Sequence, residues 1–179
     1  MEPYSEGLKM TEQFDMFEGE GHFLAKMRNN WNKSIEGEGA YCPCCGKWGK
    51  VYKTKLSQHL ALCLRWIAIN GDDDGWVDVQ NKAPRWILKS KTYNLLEHWG
   101  LVDSKSTRSG IWRATLKGWD FINGLNTMPA AVYIYDNKVW GFDSEETSFR
   151  GCFGKHFDFD EMMSEQFNWA NIKKGEGNV

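Results

Sequence analysis

Leu95-Leu96-Glu97-His98-Trp99-Gly100-Leu101-Val102, followed across a polar loop from Asp103 to Ser109 by Gly110-Ile111-Trp112-Arg113-Ala114-Thr115-Leu116-Lys117-Gly118, sets the architecture of this chain. The first part predicts a helix stopped at Gly100, since glycine takes the left-handed conformation that closes a helix. Leu101-Val102 and Ile111–Ala114 then read as two strands joined by a basic loop that carries Lys105 and Arg108. Thr115 is placed to cap a further helix through Phe121 and Ile122, because a threonine oxygen can accept from first-turn amides. Upstream, Pro84 in Ala83-Pro84-Arg85-Trp86 opens a short helix. Ser90 is placed to cap another over Lys91–Trp99 that buries Leu95, Leu96 and Trp99.

A second pattern lies earlier. Cys42-Pro43-Cys44-Cys45-Gly46 is separated by thirteen residues from His59-Leu60-Ala61-Leu62-Cys63, giving C-x2-C-x13-H-x3-C. Zinc prefers thiolate and imidazole donors, and His59 and Cys63, four residues apart, share one helix face. The predicted Zn2+ ligands are Cys42, Cys45, His59 and Cys63, with Cys44 as the alternative to Cys45. Pro43 restricts the turn, and Gly46 can take the positive φ that aims backbone amides at a ligand sulfur. Four protein ligands leave no open position, so such a metal is structural. The competing reading is a cluster of reduced cysteines, with His59 and Cys63 in an ordinary helix core.

The zinc segment resembles the two-strand-plus-helix finger in placing Leu56 three residues before His59. It departs in having one extra loop residue, no aromatic at the usual core position, and a terminal cysteine. The order helix, short strand, basic hairpin, strand, helix over residues 71–128 is similar to a winged helix-turn-helix domain. Leu95–Val102 and Gly110–Gly118 look like the "helix, Gly-Leu-Val, wing, Leu-Thr-x-x-Gly" run of winged-helix regulators. Together these features resemble zinc-finger and winged-helix proteins of bacteriophages and prophages. The resemblance implies an α+β fold, a viral setting in a bacterial host and no assigned activity.

Charge is segregated. Residues 1–40 carry a net −4, residues 41–118 a net +7 and residues 119–179 a net −5 within an overall −2. A basic middle is the electrostatic footprint expected of a nucleic-acid surface, unless the acidic flanks fold over it. The five cysteines are an odd number, and four fall between 42 and 63, which suits metal ligation in a reducing compartment better than disulfides. No apolar run approaches the roughly 20 residues of a membrane span, and the N-terminus lacks a basic-then-apolar signal. A soluble cytoplasmic protein is expected.

Residues 1–40 read as an acidic arm with a short helix over 22–34, and residues 41–70 as a knuckle running into one long helix from Lys53 to about Asn70. Asp72-Asp73-Asp74-Gly75 is a turn without the spaced acceptors of a calcium loop. After Pro129, residues 132–136 and 139–142 predict a hairpin around Asp136-Asn137, able to extend the wing sheet or present a partner surface. Phe157, Phe159, Met162, Met163 and Phe167 predict a last amphipathic helix capped near Asp158 or Asp160, and residues 173–179 a disordered end.

No catalytic constellation is present: the histidines are dispersed, and neither a phosphate-binding glycine loop nor a nucleophile elbow occurs. The leading expectation is a non-enzymatic protein that binds double-stranded DNA, a regulator of transcription or another DNA transaction. Lys89, Lys91, Thr92 and Asn94 are the candidate recognition-helix contacts, and Lys105, Arg108 and Arg113 the wing contacts. Lys50, Lys53 and Lys55, on the zinc module, could add phosphate contacts. The alternative is an effector that docks on a host or phage protein without touching DNA, since fold alone does not set function.

Overall fold

The computed structural model describes residues 11–106 and 109–172. The chain divides into two compact units, residues 1–52 and 53–179, each taken by itself below.

In the first unit, α1 (Thr11–Glu36) is a 26-residue helix, longer than the short 22–34 segment predicted. It reaches back through part of the expected loose arm; residues 1–10 lie outside the described chain. Met27 and Trp31 are half-buried and Ile35 fully buried at steps of four, one stripe of the helix. Glu36-Gly37 ends it as expected. A two-stranded antiparallel ribbon follows, β1 (Ala40–Tyr41) with β2 (Trp48–Gly49). The Val51 amide donates to the Ile35 carbonyl at 2.7 Å, which ties the chain leaving the ribbon to the end of α1.

The division falls within β3 (Tyr52–Lys55). Here the prediction of one helix from Lys53 to Asn70 is corrected. Residues 52–55 are extended, and α2 (Gln58–Ile69) begins only after Ser57. Tertiary pairing overrides the helical spacing of Leu56, whose amide donates to the Ala130 carbonyl at 2.8 Å. α2 is the centre of the second unit. It buries Leu60, Leu62, Leu64, Trp66 and Ile67, and each aliphatic side chain so buried contributes roughly 1.5–3 kcal/mol.

Around α2 the chain lays down β4 (Val77–Asp78), α3 (Val79–Lys82), α4 (Arg85–Ser90), a 3-10 helix (Tyr93–Trp99), β5 (Val102–Ser104), β6 (Ile111–Ala114) and α5 (Leu116–Ile122). The strands form an antiparallel sheet in the order β4-β6-β5, so the last strand lies between the other two. The predicted Lys91–Trp99 helix is corrected in start and type. Lys91 has φ 51°, left-handed, and closes α4, so the next helix begins at Tyr93. Ser90 does not cap it; the Ser90 hydroxyl donates back to the Ile87 carbonyl at 2.9 Å. Gly100 does stop the helix, and Thr115 does cap α5, accepting from the Gly118 amide at 3.0 Å.

The remainder comprises β7 (Met128–Pro129), β8 (Ala131–Tyr135), β9 (Lys138–Phe142), β10 (Glu146–Thr147) and α6 (Phe159–Met163). The β8–β9 hairpin turns at Asp136 and Asn137, both at positive φ, the geometry a two-residue turn requires. It does not extend the β4-β6-β5 sheet. It joins β3 in a separate sheet ordered β3-β8-β9. Asp158 caps α6 by accepting from the Glu161 amide at 2.9 Å. Phe121, Phe149, Phe153 and Phe159 meet edge to face, and Met162 is fully buried, so the C-terminal segment shares the core of α2.

Candidate functional site

The 3-10 helix and the β5–β6 hairpin build a face that carries several of the expected contacts. Leu96 and Trp99 anchor the helix in the core, and the Trp99 indole donates to the Pro129 carbonyl at 2.9 Å. That anchoring leaves Lys91 and Asn94 exposed beside a groove of about 560 Å³, whose far wall is Ser104, Ser106 and Trp112 of the hairpin. Glu97 also lines the groove and is the one carboxylate there among the described residues.

On the hairpin, the Lys105 ammonium lies 5.7 Å from the centre of the Trp76 ring and the Arg113 guanidinium 4.5 Å from it. Arg113 also pairs with Asp103 at 3.2 Å. A cation already stacked and paired offers less to phosphate than a free one, which weakens the expected role of Arg113. Arg108 lies outside the described residues. Lys53 is engaged elsewhere, in an ion pair with Asp143, and is over the Tyr133 ring at 5.4 Å. Lys50 belongs to the first unit.

Lys89, Thr92 and Lys55 do not join Lys91 and Asn94. They line a different cavity, between the start of α2 and α4, which Arg85 also lines. Arg85 carries no signal in the sequence, since its neighbours there come from segments about thirty residues apart along the chain and no local pattern announces them.

The predicted zinc ligands divide between the units, Cys42 and Cys45 in one, His59 and Cys63 in the other. In the first, the Cys42 amide donates to the Lys47 carbonyl at 2.7 Å and the Gly46 amide to the Cys42 carbonyl at 2.9 Å, with Gly46 at φ 67°. The Cys42 thiol is held below its ordinary range, chiefly by the backbone amides of Cys44 and Cys45 and then by their thiols. This is the electrostatics a thiolate ligand needs. Cys44 and Cys45 are exposed.

In the second unit, Cys63 Sγ lies 3.7 Å from His59 Nε2. Nitrogen and sulfur sharing one tetrahedral zinc stand roughly 3.5 Å apart, from the two bond lengths. His59 Nε2 is also 2.8 Å from Ser90 Oγ. The Ser90 proton is committed to Ile87, so His59 donates through Nε2–H, and burial lowers the pKa of its ring. Burial pushes the Cys63 thiol up, toward the protonated form. The donor types suit zinc, and binding it through Nε2 would require His59 to give up its hydrogen bond to Ser90 Oγ. Among the described residues, no three or more His, Cys, Asp or Glu side chains gather where one ion could bind them. Cys152 is a part-buried thiol whose pKa burial raises to about 11.

Among the described residues, no helix is long and apolar enough to cross a membrane. No protein-family model matches the chain, and neither a curated protein nor a solved structure matches it.

Proposed function

We propose that this chain binds double-stranded DNA with a winged-helix unit, as a regulator of transcription or another DNA transaction in the cytoplasm of a bacterial host. The observation that carries the reading is the element order α2, β4, α3, α4, 3-10 helix, β5, β6 with its β4-β6-β5 sheet, and Lys91 and Lys105 exposed beside it. In such a unit the helix before the hairpin enters the major groove and the hairpin loop follows the backbone. Asn94 has the donor and acceptor needed to read adenine, and Lys91 and Lys105 would meet phosphate. Neither lysine is in an ion pair among the described residues. Arg108 extends the same loop in sequence. Zinc enters the reading as a structural ion: Cys42 and Cys45 supply thiolates on a knuckle, and His59 and Cys63 an imidazole and a thiol. No catalysis is part of the reading.

A second reading, docking on a host or phage protein, draws on one feature. β9 is an edge strand of its sheet, and Val139, Trp140 and Phe142 on it are 42%, 39% and 47% exposed. An edge strand with apolar side chains can add a partner strand. Fluorescence anisotropy of labelled duplex DNA across a salt series tests the first reading. Binding that weakens steeply with salt supports phosphate contact, and no binding at low salt leaves the second reading.

A further inference from the structure

A cavity of about 760 Å³ opens in the second unit between the N-terminal turn of α2 and α4. Its polar wall carries Lys55, Arg85 and Lys89, all exposed, and among the described residues no aspartate or glutamate lines it. None of the three cations is in an ion pair among the described residues. Its apolar wall is Leu60, Trp86, Leu95 and Ile172. Small-ligand sites have this size and this division between a few convergent polar groups and an apolar body.

A further feature points to an anion. The cavity is lined by Ser57, His59 and Leu60 at the start of α2, yet Ser57, at the cap position, makes no side-chain hydrogen bond to the helix, and the first turn carries no acidic residue. First-turn amides of a twelve-residue helix left without a cap or carboxylate attract negative charge.

We propose that this cavity binds a phosphate monoester carried on a planar, largely apolar body, the chemistry of a mononucleotide. Arg85 and Lys89, one turn apart on α4, and Lys55 on β3 hold the dianion. Guanidinium and ammonium donors to phosphate make the strong, charge-assisted class of hydrogen bond. Leu60, Trp86, Leu95 and Ile172 cover the body. Such a group has two sources, a free mononucleotide or the phosphorylated end of a nucleic-acid strand. The inference stands apart from groove binding by the 3-10 helix, because it uses neither Lys91, Asn94 nor the β5–β6 loop.

Isothermal titration of the full-length protein with adenosine monophosphate, adenosine and inorganic phosphate tests it. Saturable one-site binding of the nucleotide is expected, with adenosine and phosphate each weaker. Arg85→Ala/Lys89→Ala should weaken nucleotide binding by about tenfold or more, the scale of losing charged hydrogen bonds. Both side chains are exposed, so the variant should fold as the parent does, which circular dichroism checks. Lys91→Glu should bind the nucleotide as the parent does, which separates this site from the duplex surface. A short duplex with a 5′-phosphate that displaces the nucleotide, where its 5′-hydroxyl counterpart does not, assigns the source to a strand end; failure of both to displace it assigns a free nucleotide. Absence of saturable binding, equal binding by adenosine, or unchanged affinity in Arg85→Ala/Lys89→Ala would overturn the proposal.

Discussion

Nε2 of His59 and Sγ of Cys63 stand 3.7 Å apart, one turn along α2. The separation matches two donors on one tetrahedral zinc, and Cys42 has the lowered thiol pKa of a knuckle ligand. Purified protein is therefore expected to carry about one zinc per chain by elemental analysis. Cys42→Ser and His59→Ala should each lower that content, while Cys152→Ser should leave it unchanged. Zinc-free protein that melts like the parent would show that the metal does not support the fold.

Gly118 sits so close to Leu101 that a Cβ there would collide with its carbonyl oxygen, which is backbone and cannot swing aside. Gly118→Ala should therefore cost about 1–3 kcal/mol, read as a shift in the denaturant midpoint. Thr115→Ala should cost less, about 0.5–2 kcal/mol, because it removes the cap on α5. The Thr115 hydroxyl also donates to the Gly100 carbonyl at 2.7 Å, which adds to the loss. An alanine at 118 tolerated without any shift would mean that α5 and β5 are not packed as described.

Trp99 is 1% exposed, and its indole proton goes to the Pro129 carbonyl. Trp99→Phe leaves that carbonyl without its donor and a gap where the larger ring stood. A loss of about 1–3 kcal/mol is expected in chemical denaturation. The same substitution at exposed Trp119 should change stability little.

Lys53 and Asp143 give a pH dependence with a definite sign. The hydrogen bond from Lys53 and then the Glu145 amide hold the Asp143 carboxyl below its ordinary range, and Asp143 holds Lys53 above its own. A depressed carboxylate stabilises the fold above its unfolded pKa of about 3.9, and that contribution fades as pH falls through the lower folded value. A raised lysine contributes fully below about 10.4 and loses its contribution as pH rises through the higher folded value. The Tm gap between the parent and Lys53→Met should therefore be level across neutral pH and close at both extremes. A gap unchanged in strong acid would mean that the pair does not form.

Local chemistry was legible wherever a turn or cap states its own geometry. Thr115, Gly100, Asp158 and Asp136-Asn137 act as their residue types dictate, and the β5–β6 hairpin lies where its apolar runs placed it. What misled was helical spacing without tertiary context. Leu56 is in phase with α2, yet its amide is taken by Ala130, more than seventy residues away, and β3 results. Lys89 and Lys91 are two residues apart, and sequence grouped them as recognition contacts. The left-handed backbone of Lys91, a lysine where glycine or asparagine is usual, parts them. The cavity lined by Lys55, Arg85 and Lys89 had no local signal, because strand, helix and C-terminal tail each supply part of it.

Charge reversal separates duplex binding from the rest of the molecule. If Lys91 and Lys105 neutralise phosphates, Lys91→Glu/Lys105→Glu should weaken binding to duplex DNA at every sequence. It should also flatten the plot of log affinity against log salt by about one unit for each phosphate no longer neutralised. Asn94→Ala should behave differently, leaving the salt slope unchanged while costing about 1–3 kcal/mol only on the preferred sequence. Lys138→Glu, at an exposed site on β9, is the control for net charge. If Lys138→Glu lowers affinity as much as either groove-side change, the attraction is a diffuse effect of net charge. An effect confined to Lys91 and Lys105, with sequence dependence confined to Asn94, is what a helix seated in the major groove requires.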